Sequence, residues 1–142
     1  MDDGIETNSK KDLPFFSVII TSYNRAELLR RALNTLILQT ESDWEAIIID
    51  DGSIDRTPLQ ITSYLKNKKI RFYRQENKGC VVSKNTGIAL SRGKYITFLD
   101  SDDEYNPDHL ATRKKMLTEN PTIDFLHGGV KVIGNPYVPD RF

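Results

Sequence analysis

The sequence predicts an α/β protein built on an open, mostly parallel sheet with helices on both faces. Three observations carry this. Residues 15–21 (FFSVIIT) and 95–99 (YITFL) are continuous strand-like runs without polar alternation, as strands covered on both faces require, and Trp44–Asp50 (WEAIIID) is a further strand. Stretches of helical period lie between the strands, so the two element types alternate along the chain. Unusual polar residues gather where the strands end, which is where sheets of this kind take their ligands.

Residues 15–21 form the first strand, and Ser22, Tyr23 and Asn24 its exit loop. Leu28, Leu29, Ala32, Leu33, Leu36 and Ile37 then recur at three- and four-residue steps, one apolar helix face. Asn24 with Glu27 three residues on has the form of a capping box. The strand at Trp44–Asp50 runs into Asp50, Asp51, Gly52 and Ser53. Gly52 suits the positive φ of a tight turn, and Ser53 or Asp55 can cap a weaker helix over 57–66 that has Pro58 in its first turn. Ile70–Arg74 (IRFYR) alternates and reads as a strand nearer the sheet edge. The loop 75–79 leads to a helix over 81–91, with Gly93 as its stop. Asn106, Pro107 and Asp108 open a helix that runs to Glu119, and 123–126 and 130–133 are short strand candidates. Trp44 and Phe98 are expected in the core, Tyr105 beneath the acidic loop, and His109 exposed.

Composition narrows the class. A chain of 142 residues is one domain with room for a real core. Residues 1–13 are polar and charged and read as a flexible lead-in, which leaves 14–142 as the domain. Lys+Arg and Asp+Glu balance at 20 each, so no overall field draws nucleic acid or an anionic membrane. The sole cysteine, Cys80, excludes an internal disulfide and fits a reducing compartment. No apolar run approaches the ~18 residues of a membrane span.

The chemistry concentrates at the end of the run 95–99, where Asp100, Asp102 and Asp103 crowd together. Like charges so close ask for a counter-charge. A hard divalent cation supplies one, taking carboxylate oxygens and completing its shell with water or phosphate. A solvated acidic turn that caps the next helix is the plainer reading. Thr21, Ser22, Tyr23 and Asn24 follow the first strand and Asp50 and Asp51 the second, so three loops are expected to converge on one site.

Four stretches, in order and on the right elements, resemble the family 2 glycosyltransferases of the GT-A fold, a Rossmann-like architecture. They are SVIITSYNR (17–25), IIIDDGSIDRT (47–57), ENKGCVVSKNTGIALSRGKYITFLDSDD (76–103) and the following YNPDHL. The resemblance covers about residues 14–126, the nucleotide-sugar-binding part. It implies that Thr21 and Tyr23, with Arg25 nearby, hold the base, and that Asp51 first and Asp50 second accept from the uracil edge and ribose. In the D-x-D that follows, Asp100 matches the first acid, toward ribose and metal, Ser101 lies between, and Asp102 matches the usual metal ligand for Mn²⁺ or Mg²⁺. Lys84 stands where the family usually has arginine, keeping the charge but losing the planar fork, and Asn85 matches the asparagine after it.

The resemblance implies transfer of a sugar from a nucleotide-sugar donor, a UDP-sugar by family habit, to a glycan or other hydroxyl acceptor, with inversion. The general base belongs to an acceptor-binding half that would lie beyond Phe142. The chain is therefore expected to be a donor-binding half, inactive alone and able to self-associate through an uncovered face. The usual setting of such enzymes is the cytoplasm, at the inner face of a membrane. The alternative is a non-catalytic nucleotide-binding or interaction module. A phosphatase or phosphoacceptor domain would carry its acid pair after the first strand, where this chain has T-S-Y-N.

Overall fold

The computed structural model describes residues 13–129. Its frame is four parallel strands, β1 (Phe16–Ser22), β2 (Trp44–Asp50), β3 (Ile70–Arg74) and β4 (Tyr95–Phe98), in the order β3-β2-β1-β4. The crossovers are α1 (Ala26–Ile37), α2 (Thr57–Gln60) continued by a 3₁₀ stretch Ile61–Lys66, and α3 (Cys80–Leu90), with α4 (His109–Glu119) after β4. Strand order runs outward from β1 to β3 and then returns to β4 on the other side of β1. That reversal opens a crevice at the carboxyl ends of β1 and β4.

The pleat sorts the two faces. Phe16, Val18 and Ile20 of β1, with Ala46 and Ile48 of β2, join Leu29, Ala32, Leu33 and Leu36 of α1 and Leu110 and Leu117 of α4 in one core. The opposite face of β1 carries Ile19, against which α3 presses so closely that a Cβ on Gly87 would lie 2.4 Å from its Cγ2. Helices thus cover both faces. β2, flanked by β1 and β3, is buried at every position.

β4 departs from expectation. Its residues alternate rather than being buried throughout: Ile96 and Phe98 are each 42 % exposed, so Phe98 is not a core residue, whereas Trp44 is. α3 lies chiefly over β1 and β2, and among the described residues β4 pairs with β1 alone. An apolar run reports what a strand is made of, not whether a helix lies over both its sides.

Smaller corrections have local causes. Asn24 forms no capping box: at φ 52° its Oδ1 accepts from the Ile54 N–H (2.8 Å), its own N–H donates to Ser53 Oγ (2.9 Å), and Glu27 engages Arg30 and Gln60. Gly93 serves close approach, not helix termination. Its N–H donates to Ser17 Oγ, and a Cβ there would lie 2.5 Å from the Ser17 nitrogen. His109 is half-buried and stacks on Tyr105 at 3.6 Å between ring centroids. Burial first, then the Arg113 charge, lowers its pKa to about 4. Pro107 lies in the turn before α4, and residues 123–126 form no strand, although Ile123 and Leu126 rest against the core. The expectations for 130–133 and for the lead-in up to Asp12 lie outside the described residues. Among those described, no helix is long and apolar enough to cross a membrane.

Candidate functional site

The three loops converge. A cavity of about 600 Å³ opens at the carboxyl ends of the strands, lined by Thr21 and Ser22 at the end of β1, Tyr23 and Arg25 after it, Asp51 after β2, and Asp100, Ser101 and Asp102 after β4. Asn77, Gly79, Cys80, Ser83 and Lys84 close it from the amino end of α3. Asp51 and Asp102 therefore face one space.

Each loop is held by another loop. Asn24 ties the first to the second through Ser53 and Ile54, and the Asp55 carboxylate takes the N–H of Ala26 at the start of α1. Asp51 gathers the third connection: Oδ1 accepts from Lys78 N–H (2.9 Å) and Gln75 Nε2 (2.8 Å), and Oδ2 from Gly79 N–H (2.8 Å). Burial alone would raise the Asp51 pKa. These donors, the Lys78 N–H foremost, outweigh it and hold the carboxyl below its usual range. The acidic loop rests on α1 and the turn after it: Tyr105 N–H donates to Thr35 Oγ1 on the helix, and Gln39 Nε2, just past its end, donates to the Asn106 carbonyl. As expected, Tyr105 lies under this loop, its hydroxyl donating to the Phe98 carbonyl at 2.7 Å, and burial pushes the phenol up to about 12.

Two expected site residues lie elsewhere. Asp50 is fully buried and off the cavity, its Oδ1 accepting from the Ser53 hydroxyl and amide and its Oδ2 lying 3.4 Å from Arg74 Nε. As the last residue of β2 it points to the opposite side from Asp51. Asn85 is exposed on α3 and does not line the cavity, since one residue turns a helix by about 100° away from Lys84. Ser22, expected with the first loop, lines the cavity, and so do Asn77, Gly79 and Ser83, which the sequence did not point to. Gly79, at φ 87°, was visible as the glycine of the ENKG stretch.

Charge at the mouth is paired. Arg25 Nη1 lies 2.8 Å from Asp102 Oδ2, and Lys84 Nζ lies 2.9 Å from Asp100 Oδ1, a hydrogen bond that raises the Lys84 pKa. Asp103 has no ion pair among the described residues, and partial burial followed by the Asp102 and Asp100 charges outweighs the Lys84 charge and raises its carboxyl pKa. A surplus of negative charge with oxygen donors alone suits a hard divalent cation. Among the described residues no three His, Cys, Asp or Glu side chains gather to hold a metal. A cation at Asp100 and Asp102 would therefore need further oxygens from a ligand or water, as a diphosphate provides. The residues fit that group.

Fold and site together define a GT-A glycosyltransferase domain. The chain belongs to glycosyl transferase family 2, whose model matches residues 17–139. Chondroitin synthase of Escherichia coli is 41 % identical over 106 residues, covering 73 % of this chain and 15 % of that protein. An E. coli UDP-Glc:alpha-D-GlcNAc-diphosphoundecaprenol beta-1,3-glucosyltransferase is 28 % identical over 126 residues, 89 % of this chain and 49 % of its own length. The chain thus spans no more than about half of these curated relatives. Among solved structures, residues 1–349 of S. aureus TarS in complex with UDP-GlcNAc share 30 % identity at a TM-score of 0.69, covering 75 % of this chain and 32 % of that one. A mannosyltransferase from Pyrobaculum calidifontis in complex with GDP-Man and Mn²⁺ has the same fold, with a TM-score of 0.71 at 24 % identity over 80 % of this chain and 34 % of its own.

Proposed function

We propose that this chain binds the donor, a UDP-sugar, for a metal-dependent transfer to an acceptor hydroxyl with inversion. The reading is carried by one observation: Asp51 and Asp102 line the same cavity together with the cations Arg25 and Lys84.

The residues divide the donor between them. Asp51, fixed by its three donors, offers its remaining lone pairs to the N–H and hydroxyl groups of base and ribose. Tyr23, 46 % exposed at the cavity wall, gives the base an aromatic surface beside Thr21. The diphosphate meets Arg25, Lys84 and the free N–H groups of the first turn of α3, an arrangement that favours anions. Asp100 and Ser101 face the ribose, and Asp100 and Asp102 hold Mn²⁺ or Mg²⁺. When bound, the cation neutralises charge that develops on the departing diphosphate. Asp50 acts indirectly, by fixing the turn through Ser53. Among the described residues the carboxylates lining the cavity are Asp51, Asp100 and Asp102, all engaged on the donor. The acceptor's proton therefore passes to a base outside this set.

Calorimetric titration with UDP tests the reading. Binding should be tight only when Mn²⁺ is present, and Asp102→Ala should weaken it by about 10-fold or more, the loss of one charge-assisted contact. Equal UDP affinity with and without metal would remove the assignment of Asp102.

A further inference from the structure

The two carboxylates that a cation needs are already held by the two side chains that a diphosphate needs. Arg25 lies 2.8 Å from Asp102 and Lys84 2.9 Å from Asp100, and all four line one cavity. Among the described residues lining it, Arg25 and Lys84 are the only cationic side chains. The pairs are wet, with Arg25 and Asp102 side chains 47 % and 48 % exposed, so they are weak and exchange readily. Ser22 also lines the cavity, buried at 3 % exposure, and its hydroxyl has no hydrogen-bond partner among the described residues.

Resting on the donor-binding reading, we infer that Arg25 is a specificity-determining residue that biases the site toward a divalent cation and a diphosphate bound together over either one alone. A cation alone must displace Arg25 and Lys84 from their carboxylates and leave both positive heads beside itself. A diphosphate alone must draw those heads away and leave Asp100 and Asp102 bare against its own charge. A chelated diphosphate makes both exchanges at once: the carboxylates pass to the cation, Arg25 and Lys84 pass to phosphate oxygens, and every charge stays paired. By linkage, cation and diphosphate raise each other's affinity by the same factor.

The test compares the full 142-residue chain with Arg25→Met and Arg31→Met. Arg31 pairs with Glu104 on the same acidic segment but does not line the cavity, so it controls for a general change of charge. Electron paramagnetic resonance measures binding of Mn²⁺ alone, calorimetry measures UDP with and without Mn²⁺, and circular dichroism checks the fold. Arg25→Met should bind Mn²⁺ alone about 3- to 5-fold more tightly than the parent, because its competitor is gone. It should bind UDP with Mn²⁺ about 10-fold or more weakly, because a phosphate contact is gone. Arg31→Met should stay within about 2-fold on both measures. Unchanged or weaker Mn²⁺ binding by Arg25→Met, or equal tightening by Arg31→Met, overturns the inference. Failure of the parent chain to bind UDP with Mn²⁺ would instead sink the donor reading, and the Mn²⁺-only comparison would still decide the role of Arg25.

Discussion

Replacing Asp51 by asparagine probes whether the second site loop is built around a single carboxylate. The substitution keeps the shape and removes the charge and one acceptor. The amide oxygen best replaces Oδ1, which serves Lys78 N–H and Gln75 Nε2, and so the NH₂ faces the Gly79 N–H, donor against donor. A backbone donor left unsatisfied costs about 1–3 kcal/mol, and turning the two remaining contacts from ionic to neutral about 1 kcal/mol more. The sum, about 2–4 kcal/mol, is a large share of the ~5–15 kcal/mol that holds an ordinary domain together. Trp44, the sole tryptophan and 5 % exposed on β2, reports unfolding by fluorescence, so urea midpoints at constant slope give the difference. Amide exchange at Lys78 and Gly79 should quicken beyond the global change. Because the carboxyl is held below its ordinary value of 3.8, its contribution is complete above that pH and is lost as pH falls through the lower, folded value. A variant within about 0.5 kcal/mol of the parent, with exchange at Lys78 and Gly79 unaltered, would refute the argument.

Two further outcomes are expected. His109 gives a pH signature: the unfolded chain takes its proton from about 6.5 downward, whereas the folded imidazole resists until about 4, so stability declines as pH falls between those values. By pH 5 the loss should reach at most about 2 kcal/mol, less to the extent that water reaches the ring. His109→Gln should flatten that part of the urea-midpoint profile, and an unchanged slope would count against the burial. Cys80 is exposed, lines the cavity and lies 3.7 Å from Thr21 Oγ1, so a bound nucleotide should shield its thiol. At ten times the Kd, UDP with Mn²⁺ should slow N-ethylmaleimide labelling about tenfold by mass spectrometry, in proportion to the unoccupied fraction. Labelling at the same rate would place the nucleotide elsewhere.

How far the sequence was legible depends on the kind of question asked. β2 and α1 announce themselves because burial on both faces, or along one stripe, dictates residue type over many positions. β4 carries the same apolar composition as a buried strand, yet exposes Ile96 and Phe98, because cover over a sheet edge depends on where α3 crosses, and a local run holds no record of that. The site shows the same division. That acids follow β2 was plain; which of Asp50 and Asp51 faces the cavity was not, since the pleat sends neighbours to opposite sides and one residue of register reverses the choice. Lys84 and Asn85 pose the same problem on a helix. Asn24 and Glu27 have the spacing of a cap, but the competing partners, Ser53 and Ile54, come from a loop that only the fold brings near.

The hydrogen bonds behind the cavity and the ion pairs at its mouth differ in kind. Behind it, Asn24 to Ser53 and Ile54, Asp51 to Lys78 and Gly79, and Thr35 to Tyr105 join one loop to the next through backbone amides that have few other partners. Most of these bonds are part-buried and contribute about 0.5–1.5 kcal/mol each, so several acting together fix the frame more firmly than either ion pair at the mouth. At the mouth, Arg25 with Asp102 and Lys84 with Asp100 are exposed charge pairs worth about 0–1 kcal/mol, and water takes over either member when they part. A ligand of matching charge therefore finds the costly ordering already done and only inexpensive partners to displace. That division explains why the acids can be both paired in this structure and available to a chelated diphosphate. On the proposed reading, selectivity rests on Arg25, at the start of α1, and Lys84, on α3, and not on the hydrogen bonds behind them.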